Sequence, residues 1–176
     1  MYRLKDLIGE DVVNRALRTI TREFAYAGPP YPTTYDLEDA LRAEMPADRS
    51  IFLEDWFDHL TQLNLQTTSA SARKLPNGKY EITLQVQARK TQRIVPGRAR
   101  PAPLDEWVDL GAFALPANGR PFGKNLYLQQ IHLTGETGSY TFTVDEMPAL
   151  AGIDPFALSL GNAAHLEPVT FNRSLK

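Results

Sequence analysis

An α+β fold, in which a short bundle of three N-terminal helices precedes an antiparallel β-sandwich, is predicted by three observations. Apolar residues recur with a helical period up to about residue 62 and with a period of two beyond it. Pro, Gly and Asn clusters separate the alternating runs, as turns between strands require. The 176 residues, 43% apolar and 23% charged, have the composition of a soluble globular protein long enough to bury a real core. On this pattern residues 1–62 form the helical segment, 63–150 the sandwich and 151–176 an irregular tail.

The helices follow from the spacing. Val13, Leu17, Ile20 and Phe24 form one stripe on a helix from about Glu10 to Ala25. Gly28-Pro29-Pro30 stops it, because proline lacks the amide donor and pushes the residue before it out of helical geometry. Thr33 and Asp36 stand at capping-box spacing and open a second helix that turns Leu37, Ala40 and Leu41 inward and ends before Pro46. A third helix starts near Asp48 or Ser50 and carries Phe52, Leu53, Trp56, Phe57 and Leu60 on one broad face.

The strands begin after Leu63. Tyr80, Ile82, Leu84, Val86 and Ala88 alternate with Glu81, Thr83, Gln85, Gln87 and Arg89, the pattern of a half-buried strand. Pro76-Asn77-Gly78 supplies the turn before it, and the run from Leu63 to Lys74 is its hairpin partner. Further strands are expected over 106–114, 125–134 and 139–145, the last with Tyr140, Phe142 and Val144 on one face. Gly135-Glu136-Thr137-Gly138 is read as the turn joining the final two. Lys90–Pro103 and Pro116–Gly123 read as loops, and Asn172–Lys176 as a disordered end.

Composition removes several functions. A net charge of −2 gives no general attraction to nucleic acid or anionic membrane. The absence of cysteine excludes disulfides, thiolate catalysis and cysteine-ligated zinc. No stretch reaches the ~20 apolar residues of a membrane span, and Met1 to Asp6 opens no signal peptide.

Motifs for chemistry are mostly missing. A zincin helix needs two histidines four residues apart with a glutamate beside the first, whereas His59, His132 and His165 are scattered. Asp55 and His59 stand four apart, a spacing that also describes a solvated helix face. Neither Ser159 nor Ser174 lies in a nucleophile elbow, and no phosphate-binding glycine loop is present. Glu10-Asp11, Glu38-Asp39 and Glu54-Asp55 fall in early helical turns, where the helix dipole accounts for them. The basic run from Arg89 to Arg100 reads first as a long solvated hairpin loop whose charges blunt edge pairing; lacking an aromatic to stack a base, it favours an acidic protein partner over nucleic acid as a binding surface. Arg93, Arg98 and Arg100, with Trp107, are the candidate interaction surface; Trp107 is expected in the core or at a domain interface before it is expected to stack on a sugar. Trp56 follows its helix's apolar spacing and is expected in the core.

An ordered series of phrases adds a resemblance. Gly9-Glu10, Asn14-Arg15-Ala16-Leu17, Pro30-Tyr31-Pro32-Thr33, Asp36-Leu37, Leu41-Arg42, Pro46, Asp55-Trp56-Phe57, Asn77-Gly78-Lys79-Tyr80, Ala88-Arg89-Lys90 and Gly152-Ile153-Asp154-Pro155 succeed one another along most of the chain. In that order the chain resembles the C-terminal, non-catalytic region of aminopeptidase N-like zinc metallopeptidases, in a bacterial branch some of whose members are fused to membrane permease segments. The resemblance implies that residues 1–62 are the last helices of a thermolysin-like catalytic domain and that the sandwich comes directly behind them. It also implies that the zinc-binding His-Glu-x-x-His helix lies upstream, in a parent that is membrane-anchored and extracytoplasmic. No catalytic or metal residue then falls on this chain, and zinc is expected only in the upstream domain. The expected role is to brace that domain, with no nucleic-acid partner and no membrane insertion by the chain itself. The alternative is a standalone sandwich module that binds a protein, peptide or glycan.

Overall fold

The structure, a computed structural model, describes residues 2–95, 97–116, 120–159 and 165–171. It divides into two compact units, Met1–Thr61 with Gln92–Arg100, and Gln62–Thr91 with Pro101–Lys176. Helices precede strands along the chain, so the α+β class holds.

In the helical unit, α1 (Tyr2–Ile8) and α2 (Glu10–Phe24) meet at Gly9, whose φ of 91° is a conformation that glycine adopts without steric cost. Leu4, Leu7 and Ile8 of α1 and Val13 and Ala16 of α2 are buried. Burial on α2 centres on Val13 and Ala16, one turn apart, so Leu17 leaves the expected inward stripe and is 37% exposed. The cap on α3 (Thr34–Glu44) forms as its spacing predicts: the Asp36 carboxylate accepts the Thr33 backbone N–H and the Thr33 hydroxyl, each at 2.7 Å. The backbone N–H and then the hydroxyl of Thr33 hold the Asp36 pKa below its ordinary value of 3.8. Leu41 is fully buried, and Arg15 bridges α2 to α3 through Glu44 at 2.7 Å.

The third helix is broken up. A 3₁₀ turn (Ala47–Arg49) leads to the short α4 (Ile51–Leu53), which runs into a π-helical turn (Glu54–Asp58). Phe52 and Leu53 are buried, and Trp56, expected in the core, is half-buried beside Phe52 at 6.4 Å between ring centroids. The wider π turn shifts the phase of the residues after it, and His59 is already extended. Leu60 therefore leaves the helix face expected of it, starts the first strand and is 68% exposed.

Nine strands among the described residues form two sheets. In the first, β1 (Leu60–Lys74) lies between β2 (Tyr80–Val95) and β9 (Thr170–Phe171), while β3 (Arg98–Pro101) and β6 (Thr137–Val144) both pair with β2. In the second the order is β5 (Asn125–Leu133), β4 (Glu106–Phe113), β7 (Leu150–Ile153), β8 (His165–Pro168). Apolar faces of both sheets meet in one core that includes Leu65, Ile82, Leu84, Val108, Leu110 and Ile153, a sandwich-like arrangement. Gly78, at φ 86°, completes the β1–β2 turn, with the Lys79 N–H donating to Asn77 Oδ1 at 3.1 Å.

Three expectations change. Gly135-Glu136-Thr137-Gly138 does not close a hairpin: β5 pairs with β4, and β6 crosses to the other sheet to pair with β2, Ile82 opposite Phe142. The free edge of β2 is what β6 requires, and there its apolar row of Tyr140, Phe142 and Val144 joins the core. Lys90–Pro103 is no loop, because β2 runs on to Val95 and returns through β3. The stretch after residue 150 is not irregular, since β7 fills the inner edge of β4 and its Ile153 N–H donates to the buried Thr67 hydroxyl at 3.0 Å. The end expected to be disordered, Asn172–Lys176, lies outside the described residues.

The inward row of β2 runs Ile82, Leu84, Val86, Ala88 and ends in Lys90; the inward row of β4 runs Ala112, Leu110, Val108 and ends in Glu106. These two charges meet at 2.8 Å with side chains 2% and 9% exposed. A buried pair tolerates joint replacement far better than loss of one member. Lys90→Met alone should therefore lower stability by about 3 kcal/mol, and adding Glu106→Leu should restore most of it, as read by urea unfolding. Equal losses in the single and double variants would contradict this.

Candidate functional site

Several of the residues that first suggest catalysis have structural partners. Asp55 is buried and accepts the Thr61 hydroxyl at 3.3 Å, while His59 sits past the helix end and is exposed, so the two do not share a helical face. Glu10 pairs with Lys5 at 3.1 Å, and Glu38 pairs with Arg42 at 2.6 Å, which raises the Arg42 pKa above its ordinary value. Buried Ser159 gives its backbone N–H to Asp154 at 3.1 Å. Asp154 itself has a φ of 47° and also accepts the Leu158 N–H at 2.9 Å, so its carboxylate holds a turn together. The side chain of His165 and the whole of Ser174 lie outside the described residues. Among the described residues, no group of three or more His, Asp or Glu is placed to hold a metal ion.

The basic segment organises a groove. The hairpin of β2 and β3 brings Arg93 and Arg100 together with Gln92 and Ile94, and with Asp58, His59 and Leu60, around a concavity of ≈ 360 Å³ within the helical unit. Arg100 donates to Gln92 Oε1 at 3.1 Å. Arg98 stands on the same hairpin and is exposed, but it does not line the groove. Leu60 and Ile94 are 68% and 60% exposed there.

Trp107 belongs to the sheet unit and does not line that groove. It lies on the face of β4 opposite the core row and pairs across the ladder with His132. Its indole stacks on the His132 ring at 4.6 Å and 9°, and His132 Nε2 is 2.5 Å from Asp105 Oδ1. The ring face covered by His132 is closed to a sugar. A second, polar concavity of ≈ 360 Å³ is lined by Asn64, Gln66, Gln87, Ala88, Arg89, Glu136 and Thr137 of the sheet unit. A smaller one of ≈ 250 Å³ adjoins it, sharing Asn64 and Arg89.

No family model and no curated protein matches this chain. The geometry therefore carries the functional reading. Sequence reasoning singled out the arginines but missed Leu60 and Ile94 as their apolar neighbours. A signal for Ile94 was present: Lys90, Gln92 and Ile94 continue the phase of Ile82 to Ala88. No such signal marked Leu60, whose place depends on the π turn before it.

The stacked pair is open to a direct check. In a Trp56→Phe background, His132→Ala should move Trp107 emission to longer wavelength as the indole gains water. An unchanged spectrum would show that His132 does not cover the ring.

Proposed function

We propose that this chain is the non-catalytic C-terminal portion of an aminopeptidase-like zinc metallopeptidase, in which its helical unit braces the catalytic domain. The partner is that upstream domain of the same protein, which carries the zinc and the chemistry. The observation that carries the reading is bare aromatic surface on the helical unit. Tyr2, Tyr31 and Tyr35 are 83%, 70% and 72% exposed, and Tyr26 is fully exposed. Single exposed apolar residues are ordinary. Here, however, Tyr2, Val13 and Leu17 also line a groove of ≈ 210 Å³ between α1 and α2, edged by Lys5 and Glu10. Apolar surface with a polar rim suits contact with another protein surface. The succession of helices and then paired sheets matches the order the resemblance implies, which supports the same reading.

The chain has no role in membrane crossing on this account, and no helix among the described residues is long and apolar enough to cross one. The standalone interaction module is the second reading, favoured by the amide-lined concavity around Asn64, Gln66 and Gln87. The test of the leading reading is an assay of the purified chain on leucine p-nitroanilide with zinc added. It predicts no turnover above the blank. Turnover abolished by a chelator would overturn it, because the metal site would then lie in this chain.

A further inference from the structure

We propose that the groove around Leu60 and Ile94 docks an acidic polypeptide segment, seating one apolar side chain between them and carboxylates on Arg93 and Arg100. The inference does not depend on the aminopeptidase-like reading, since it needs only a partner of this chemistry.

Two independent features of the groove converge. The first is charge. Arg93 and Arg100 face one carboxylate, that of Asp58, so the lining is cationic, and Arg98 on the same hairpin adds to the field. Among the described residues the guanidinium groups of Arg93 and Arg98 have no ion-pair or hydrogen-bond partner, and that of Arg100 bonds only Gln92. Guanidinium groups present forked donors that fit carboxylates closely. The second feature is apolar. Ile94 holds the same strand phase as the core row of β2, yet it is 60% exposed, and Leu60 is 68% exposed. Two uncovered branched aliphatic side chains in the same lining as the cations favour a ligand that brings both an apolar group and negative charge.

Size and composition narrow the occupant. A volume of ≈ 360 Å³ lies within the range of about 300–1,000 Å³ typical of ligand clefts, enough for one large side chain with its flanking backbone. The lining has no Trp, Tyr or Phe, and its one aromatic ring, that of His59, gives no row of platforms along which successive nucleic-acid bases would stack. An acidic peptide satisfies both the cations and the aliphatic floor, whereas a nucleic-acid strand satisfies only the cations.

The experiment measures binding of the full chain to polyglutamate, to a glutamate–tyrosine copolymer and to single-stranded oligonucleotide by fluorescence anisotropy at low salt. The proposal expects the copolymer to bind about tenfold more tightly than polyglutamate, the ratio that ~1.4 kcal/mol of extra apolar contact gives. Arg93→Glu with Arg100→Glu should abolish binding of both polypeptides. Leu60→Ser with Ile94→Ser should bring the copolymer down to the affinity of polyglutamate. All four positions are exposed, and circular dichroism of each variant verifies its fold. Equal affinity for the two polymers, binding that survives the arginine reversals, or tighter binding of the oligonucleotide would each overturn the proposal.

Discussion

The pairing of Lys90 with Glu106 is the constraint on which the sheet unit depends. Each residue occupies the last inward position of an apolar row, one row in each sheet. A charge at such a position is costly to bury unless its counter-charge arrives with good geometry. Because side chains alternate along a strand, slipping either strand by one residue would turn its charge outward and strand the other. The pair therefore couples the register of β2 to that of β4, and with it the alignment of the two sheets. Thr67 adds a second polar tie between the sheets by accepting the Ile153 N–H at 3.0 Å.

The remaining strands occupy the edges that these two leave. β4 has β5 on one side and β7 on the other, and β2 has β1 on one side with β6 and then β3 along the other. That division explains why chain neighbours 133 and 137 end one strand and begin another in different sheets. It also explains why β2 runs long: its first half accepts β6 and its far end accepts β3. Across the core, Tyr127 of β5 stacks on Phe142 of β6 at 3.9 Å, so strands that do not share a ladder still meet through their rings.

The features legible in the sequence are those that depend on local chemistry. Asp36 three residues after Thr33 announced a capping box, and Asn77-Gly78 announced the turn. The alternation from Tyr80 to Ala88 announced a strand. The features that escaped depend on partners distant in sequence. Lys90 looked like the start of a basic loop, because only Glu106, sixteen residues on, makes a lysine acceptable in an inward row. The residues of β7 carry no clear period because Ala151 and Gly152 are buried by the sheet edge they fill and not by their own alternation. Of the candidate surface, the three arginines were readable from composition. The groove was not, because it needs the π turn that delivers Leu60 and the extended β2 that delivers Ile94.

The chain joins a helical unit with bare aromatic surface to a sheet unit in which charged residues such as Lys90, Glu106, Arg73 and Glu81 are held in ion pairs. Among the described residues many Asp, Glu and His side chains are committed to caps, turns and ion pairs, and our proposal is that the chain supports chemistry performed elsewhere. The most direct test of that claim is to read the encoding DNA upstream of Met1 in frame. The account predicts an unbroken frame containing a His-Glu-x-x-His segment with a more distant glutamate. A stop codon and then a ribosome-binding site immediately before Met1 would contradict it and make this chain a module that acts alone.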